Sequence, residues 1–423
     1  MNYFLTGFPP PDVLIRTFSG KNSLPEFRET NLHIHTPYSF SAFPDIGTIF
    51  SMAREENIPL LGINDFFVAD GYSDFYSNSL KNNIFPFFNI EFIGLLKDEQ
   101  RKGIRINDPN NPGRIYFSGK GLDFPFNPGF LNRLRLKSVI RESQEQIKTM
   151  ISKLNQIIEP IKPGISLSYK EIKRRYARDL VRERHLARAV RMTALENFDS
   201  SEEQLHFLEN LFGGIKPKAG LNDSAALENE IRAKLLKSGG TAFVEENEES
   251  FLELKKIINI ILKAGGIPCY PVLLDDSQGN FTEFEKDFEK LHSSLLKYNI
   301  GCIELIPGRN DKGILKSFVE FFHDKNFIIT FGTEHNTPEL IPLQVTTRGN
   351  IPLDDALKKI AWEGACVIAA HQYLRAQGRQ GYMLPEGNPS FGQKKELASL
   401  GKLVIEFFLS NNGKNETGNR RIN

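Results

Sequence analysis

The chain has 423 residues, 40% of them hydrophobic and 25% charged, with a net charge of +1 at neutral pH. This is the composition of an ordinary soluble globular protein. No apolar run approaches the roughly 20 residues of a membrane helix, so no membrane partner is expected. Charge is unevenly spread: Leu131 to Val190 holds 15 Lys and Arg against 6 Asp and Glu, a local balance of +9. A solvated helical surface accounts for such a stretch, and so does an electrostatic funnel for an anionic partner. A small anionic substrate is favoured over nucleic acid, and nothing points to an oligomeric partner.

In chain order, the N-terminus to residue 29 reads as an irregular arm. Met1 to Asp12 has no basic segment and contains Pro9-Pro10-Pro11, which does not suit a signal peptide. Leu32–Ile34 reads as a strand, and Asp45 caps a helix whose Ile46, Ile49, Phe50 and Ala53 share one face. Pro59–Ile63 and Phe85–Phe92 are the next strands. From about 127 to 240 the pattern is helical throughout. Beyond it, strands at Ile267–Val272, 300–305 and 327–331 alternate with helices at 282–298 and 312–325. Hydrophobic strands alternating with helices predict parallel strands under a helical cover. The expected fold class is therefore α/β, a barrel over 30–341 with a helical insertion. A C-terminal extension at 342–410 carries helices at 353–363 and 392–409, and 411–423 is a polar tail. The cysteines Cys269, Cys302 and Cys366 form no CxxC pair. They indicate neither a disulfide framework nor a thiolate zinc site, and suit a reducing cytoplasm.

The strongest chemical signal is His33-Ile34-His35. Alternate residues of a strand project to one side, so two imidazoles converge at a strand end, where barrel active sites form. Three further strand ends carry polar groups: Asn64-Asp65, Asn89-Ile90-Glu91 and Gly332-Thr333-Glu334-His335. Each carboxylate alone is commonly a helix cap, but the four together point to a metal. Mixed His and carboxylate ligands suit Zn, Mn or Fe better than Ca or Mg. Arg309 follows the strand ending at Leu305, Arg348 lies beyond the last motif, and Arg184 flanks His185. All three are candidates for holding an anion. His371 reads as a helix-packing histidine.

The ordered segments HIHTPYS, LGIND, NIEF, RERHLARAV and GTEH are similar to the motifs of the PHP superfamily (polymerase and histidinol phosphatase). The resemblance spans roughly residues 30–335. It implies a distorted TIM-like (β/α)7 barrel, divalent metals, and phosphate esters as the usual substrate class. Carried over position by position, it implies His33, His35, Glu91, His185, Glu334 and His335 as metal ligands and Asp65 as a catalytic residue. Phe40, Phe66, Tyr270 and Asn336 stand where the family has further ligands, and Tyr270 becomes a substrate-facing candidate. One ligand set, His33, His35, Glu91 and Glu334, stays complete.

The expectation is a metal-dependent hydrolase of a small anionic substrate, a phosphoester, with about one divalent metal per chain. The alternatives are a non-catalytic metal- or ligand-binding barrel and a single-metal amidohydrolase-like enzyme. The length leaves no room for a polymerase domain.

Overall fold

The computed structural model describes residues 4–18 and 24–412. Eight strands form its main sheet: β1 (Thr30–Ile34), β2 (Leu60–Phe66), β3 (Phe85–Leu95), β4 (Arg114–Lys120), β5 (Leu252–Glu253), β6 (Ile267–Val272), β7 (Cys302–Leu305) and β8 (Ile328–Phe331). They are ordered β1-β2-β3-β4-β6-β7-β8, with the short β5 beside β3. The sheet nearly closes on itself. Ile34 bridges Glu334, the Glu334 N–H donates to the His33 carbonyl, and the His35 N–H donates to the Glu334 carbonyl, both at 2.8 Å. The α/β, TIM-like barrel expected from the sequence is the observed fold.

Every residue of β2 and β3 is buried, as hydrophobic strands covered on both faces must be. The helix Ile46–Glu55 begins where the Asp45 carboxylate accepts the Thr48 N–H at 2.8 Å, and it buries the predicted face. At the barrel's closure, Gly332 is required by space. A Cβ there would lie 2.2 Å from the Cβ of His33, so any side chain would push that histidine off its strand.

Three features differ from the sequence reading. β4 was not expected, and it runs antiparallel to both β3 and β6, the one exception to parallel pairing around the barrel. Its sequence, Arg-Ile-Tyr-Phe-Ser-Gly-Lys, is short, charged at both ends, and followed by no adjacent crossover helix that would announce it. The N-terminal arm is not wholly irregular, because Pro11–Phe18 is a helix. Pro11 suits its first turn and Asp12 its positive end. The helix expected at 353–363 runs on to Ala376 and packs against β8 and the helix Lys394–Asn412. His371 on this helix is buried. Its Nε2 donates to the Gly265 carbonyl at 2.7 Å and its Nδ1 accepts the Tyr382 N–H at 3.0 Å, a packing role as expected.

The helical segment between β4 and β5, from Phe130–Ile161 to Arg232–Leu236, has its own apolar core including Met150, Leu154, Leu186 and Phe207. Of the polar tail expected from residue 411, residues 413–423 lie outside the described residues. Among the described residues no helix is long and apolar enough to cross a membrane. The three cysteines are free and buried.

Candidate metal centre

Four side chains converge where β1, β3 and the end of β8 meet. Ligand-capable atoms of His33, His35, Glu91 and Glu334 all lie within 4.8 Å of one another, and all four residues are buried. The two imidazole Nε2 atoms are 3.1 Å apart. Glu91 Oε2 lies 3.6 Å from that of His33 and 3.2 Å from that of His35. A tetrahedral ion with bonds of about 2.0–2.1 Å spaces its ligands by roughly 3.4 Å, so these separations fit one small cation.

The protonation pattern fits as well. His33 Nδ1 faces Glu304 Oε2 at 3.1 Å, which holds the ring proton there and leaves Nε2 unprotonated, with the Asn64 amide nitrogen 3.1 Å from both ring nitrogens. His35 Nδ1 faces Ser39 Oγ at 3.3 Å, and the Ser39 hydroxyl donates to Asp65 Oδ1 at 2.7 Å. That hydroxyl therefore accepts from His35, whose Nε2 is also unprotonated. Outer-sphere carboxylates that fix histidine tautomers in this way are typical of metal sites. Burial lowers the pKa of His33 despite the facing Glu304 and Glu91, and lowers that of His35 further. Both rings are neutral near pH 7, as ligands must be.

Glu91 shows the demand for a cation most directly. Its Oε2 is buried and has no hydrogen-bond partner, since its 3.2 Å approach to His35 lacks hydrogen-bond geometry. Burial raises the Glu91 pKa to about 7, opposed by His33. A buried, unpaired carboxylate oxygen facing two unprotonated imidazole nitrogens is costly unless something positive binds all three. Glu334 is more engaged: Oε1 accepts the Asn336 amide at 2.8 Å and Oε2 pairs with Arg309. Each carboxylate oxygen keeps a second lone pair for an ion.

Behind His33 lies a network that the sequence did not announce. Glu304 accepts the Ser118 hydroxyl at 3.0 Å and pairs with Lys120, whose Nζ also reaches Asn64 Oδ1 at 3.3 Å. Burial alone would raise the Glu304 pKa, but His33 and Lys120 hold it down to about 2. The signals were an acid, a lysine and a serine inside apolar strands.

The other candidates are placed as follows. Asp65 accepts the Thr36 N–H at 2.7 Å, the Thr36 hydroxyl at 2.5 Å and the Ser39 hydroxyl, so it reaches the centre only through Ser39. The structure does not bring His185 into the group of four. Its Nδ1 accepts the Arg182 N–H at 2.9 Å, which places the ring proton on Nε2, and its ring meets Phe40 edge-on at 4.9 Å. His335 has both nitrogens occupied, by Thr333 Oγ1 and the Ile341 carbonyl, each at 2.9 Å. The Tyr270 hydroxyl donates to buried Glu285 at 2.8 Å, away from the four ligands. Arg348 pairs with Asp275 and donates to the carbonyls of Asp275, Asp276 and Arg309, so it braces two loops. Arg309 stands at the rim on Glu334, half exposed, and Arg184 lines the same cavity.

Phe66 stacks on His35, with ring centroids 4.6 Å apart. The backbone is strained around the centre: Phe40, Phe67, Glu334 and His335 have φ of 131°, 60°, 70° and 57°. Positive φ at non-glycine residues costs of order 1–3 kcal/mol each and clusters at functional sites.

Compared as a sequence, the chain matches no protein-family model and no curated protein. Compared as a fold, it is similar over 79% of its length to 95% of a protein from Bifidobacterium adolescentis proposed as a metal-dependent phosphoesterase, with a TM-score of 0.53 and 12% identity. It is also similar over 79% of its length to 96% of an amidohydrolase from Chromobacterium violaceum holding sulfate and no metal, with a TM-score of 0.48 and 13% identity. The first likeness speaks for the shared barrel alone, and the second carries no argument.

Proposed function

We propose that this chain is a metal-dependent hydrolase with one divalent ion held by His33, His35, Glu91 and Glu334, acting on a small phosphoester. The observation that carries the reading is the unpaired Glu91 oxygen facing two imidazoles whose tautomers are fixed by Glu304 and by Ser39 with Asp65. Such an ion supplies Lewis-acid activation of water and of a substrate oxygen. Zn, Mn or Fe suits the two nitrogens and two carboxylates. The Bifidobacterium adolescentis protein, a proposed metal-dependent phosphoesterase, shares the barrel and supports the reading by analogy.

The chain's own groups have separable roles. Glu304 and Ser39 aim the two imidazoles, and Asp65 acts through Ser39 as a positioning residue. Phe66, stacked on His35, keeps water from one side of the centre, which strengthens the remaining electrostatics. Arg309 spends one nitrogen on Glu334 and keeps the rest of its guanidinium for an anionic group at the rim. The cavity lined by His33, Glu91, Glu304, Arg309 and Glu334 has a volume of about 400 Å3, the size for a small molecule.

The test is hydrolysis of p-nitrophenyl phosphate by metal-loaded protein, beside a simple lactone. The reading expects phosphate release that chelation abolishes and that Arg309→Met lowers through KM. Lactone hydrolysis alone would move the assignment to an amidohydrolase-like enzyme. Full metal loading with neither activity would leave a metal-binding scaffold.

A further inference from the structure

The helical insertion brings a second set of charges to the same cavity. Arg184, Arg232 and Lys237 line it together with His33, Glu91 and Glu334. Arg182 lies on the adjoining wall with its guanidinium 4.5 Å from the centroid of the Phe66 ring. Among the described residues, Glu183 is the one carboxylate in ion-pair contact with these four cations. Its Oε2 is 3.0 Å from Arg232 Nε and 3.1 Å from Lys237 Nζ. Arg184 donates to the neutral amide of Asn229 at 3.0 Å, and Glu339 also binds that amide, at 2.5 Å. Arg114, which lines the wall as well, is already matched by Glu246 at 2.5 Å and Asp108 at 3.9 Å.

The wall therefore carries five cations, Arg114 included, against three carboxylates, and of these carboxylates only Glu183 pairs with any of the other four. Burial and the neighbouring Arg232 lower the Arg184 pKa to about 10, the mark of cations crowded in a partly dry place. Such a cluster is relieved by an anion, and guanidinium forks suit phosphate and carboxylate oxygens. It faces a metal centre across one small cavity, so a single ligand can meet both.

We infer that Arg182, Arg184, Arg232 and Lys237 form a second oxyanion subsite, and that the substrate is a phosphoester bearing another phosphate or a carboxylate at its far end. The inference rests on the hydrolase reading for the first anion, held at the metal centre and Arg309. The second anion selects the substrate and sets its orientation. Glu183 restrains the subsite by holding Arg232 and Lys237 when no ligand is present.

The test is calorimetric titration of the full chain, metal-loaded and metal-free, with propylphosphonate, propane-1,3-bisphosphonate and 3-phosphonopropionate. The bisphosphonate is expected to bind metal-loaded protein at least about tenfold tighter than propylphosphonate, as added charge-assisted hydrogen bonds allow. Lys237→Gln should erase most of that advantage, and Glu183→Gln, which frees two cations, should enlarge it. Metal content should stay unchanged in both variants, and propylphosphonate affinity should move less than bisphosphonate affinity in each. Strong binding of 3-phosphonopropionate would identify the second group as a carboxylate, and weak binding as a phosphate. Equal affinity for mono- and bisphosphonate, or a shift of the same sign in both variants, would overturn the subsite. Metal-free protein that binds inorganic phosphate with the same opposite response to the two variants supports the subsite even where the metal centre fails, so the two readings fall separately.

Discussion

His33 Nδ1 lies 3.1 Å from Glu304 Oε2, and Glu304 in turn pairs with Lys120. The three residues come from β1, β7 and β4, so a buried chain of charge runs from the barrel wall to the candidate ion. Breaking it at different points should have different consequences.

Lys120→Met leaves a buried carboxylate without its cation, and Glu304→Gln leaves a buried ammonium without its anion. Either is expected to cost roughly 3–5 kcal/mol of stability. The double variant should recover much of that loss, because neither charge remains. Metal affinity should not recover, since His33 has lost its carboxylate, and a drop of about 10–100-fold is expected. Denaturant unfolding of the metal-free proteins, with metal titration beside it, measures both quantities. Additive losses of stability would show that the two side chains do not act as a pair.

Ser39 links His35 to Asp65. Ser39→Ala removes the acceptor for His35 Nδ1 but leaves Asp65 both of its bonds from Thr36. The expected result is metal affinity lowered about 10–100-fold with only roughly 1 kcal/mol of stability lost. Wild-type affinity in Ser39→Ala would remove Asp65 from the account of the centre.

Glu285, away from the centre, gives a pH test. Burial raises its pKa from 4.5 to about 7, although the Tyr270 hydroxyl and the N–H groups of Leu273 and Leu274 oppose the shift. A carboxyl with a raised folded pKa contributes stability that is present below its unfolded pKa. That contribution is lost as pH rises through the folded value. The stability of wild type relative to Glu285→Gln should therefore fall by on the order of 2–3 kcal/mol between pH 4.5 and pH 8. Chemical denaturation across that range measures it, and a difference independent of pH would mean that Glu285 is ionised throughout.

The barrel was legible because parallel strands are buried on both faces and read as plain apolar runs, as in β2, β3 and β6. β4 was not, since an antiparallel strand in such a barrel breaks the strand-helix rhythm by which the others are found. For the centre, strand alternation predicted that His33 and His35 point together, and acids expected at strand ends brought in Glu91 and Glu334, although β3 runs on to Leu95 and Glu91 stands within it. Their partners were hidden for a physical reason. Glu304, Ser118 and Lys120 become meaningful only when β4 and β7, neighbours neither of β1 nor of each other in the sheet, bring these side chains together behind His33. Tyr270 shows the reverse limit: its position on a strand was readable, but its commitment to Glu285 depends on a loop that folds back over it.

The central claim is that His33, His35, Glu91 and Glu334 hold one divalent ion, and elemental analysis of protein purified without chelator tests it most directly. The account predicts about one transition-metal ion per chain, lost in Glu91→Ala and retained in His335→Ala. A chain that binds no metal, or a Glu91→Ala variant that still carries a full equivalent, would contradict it.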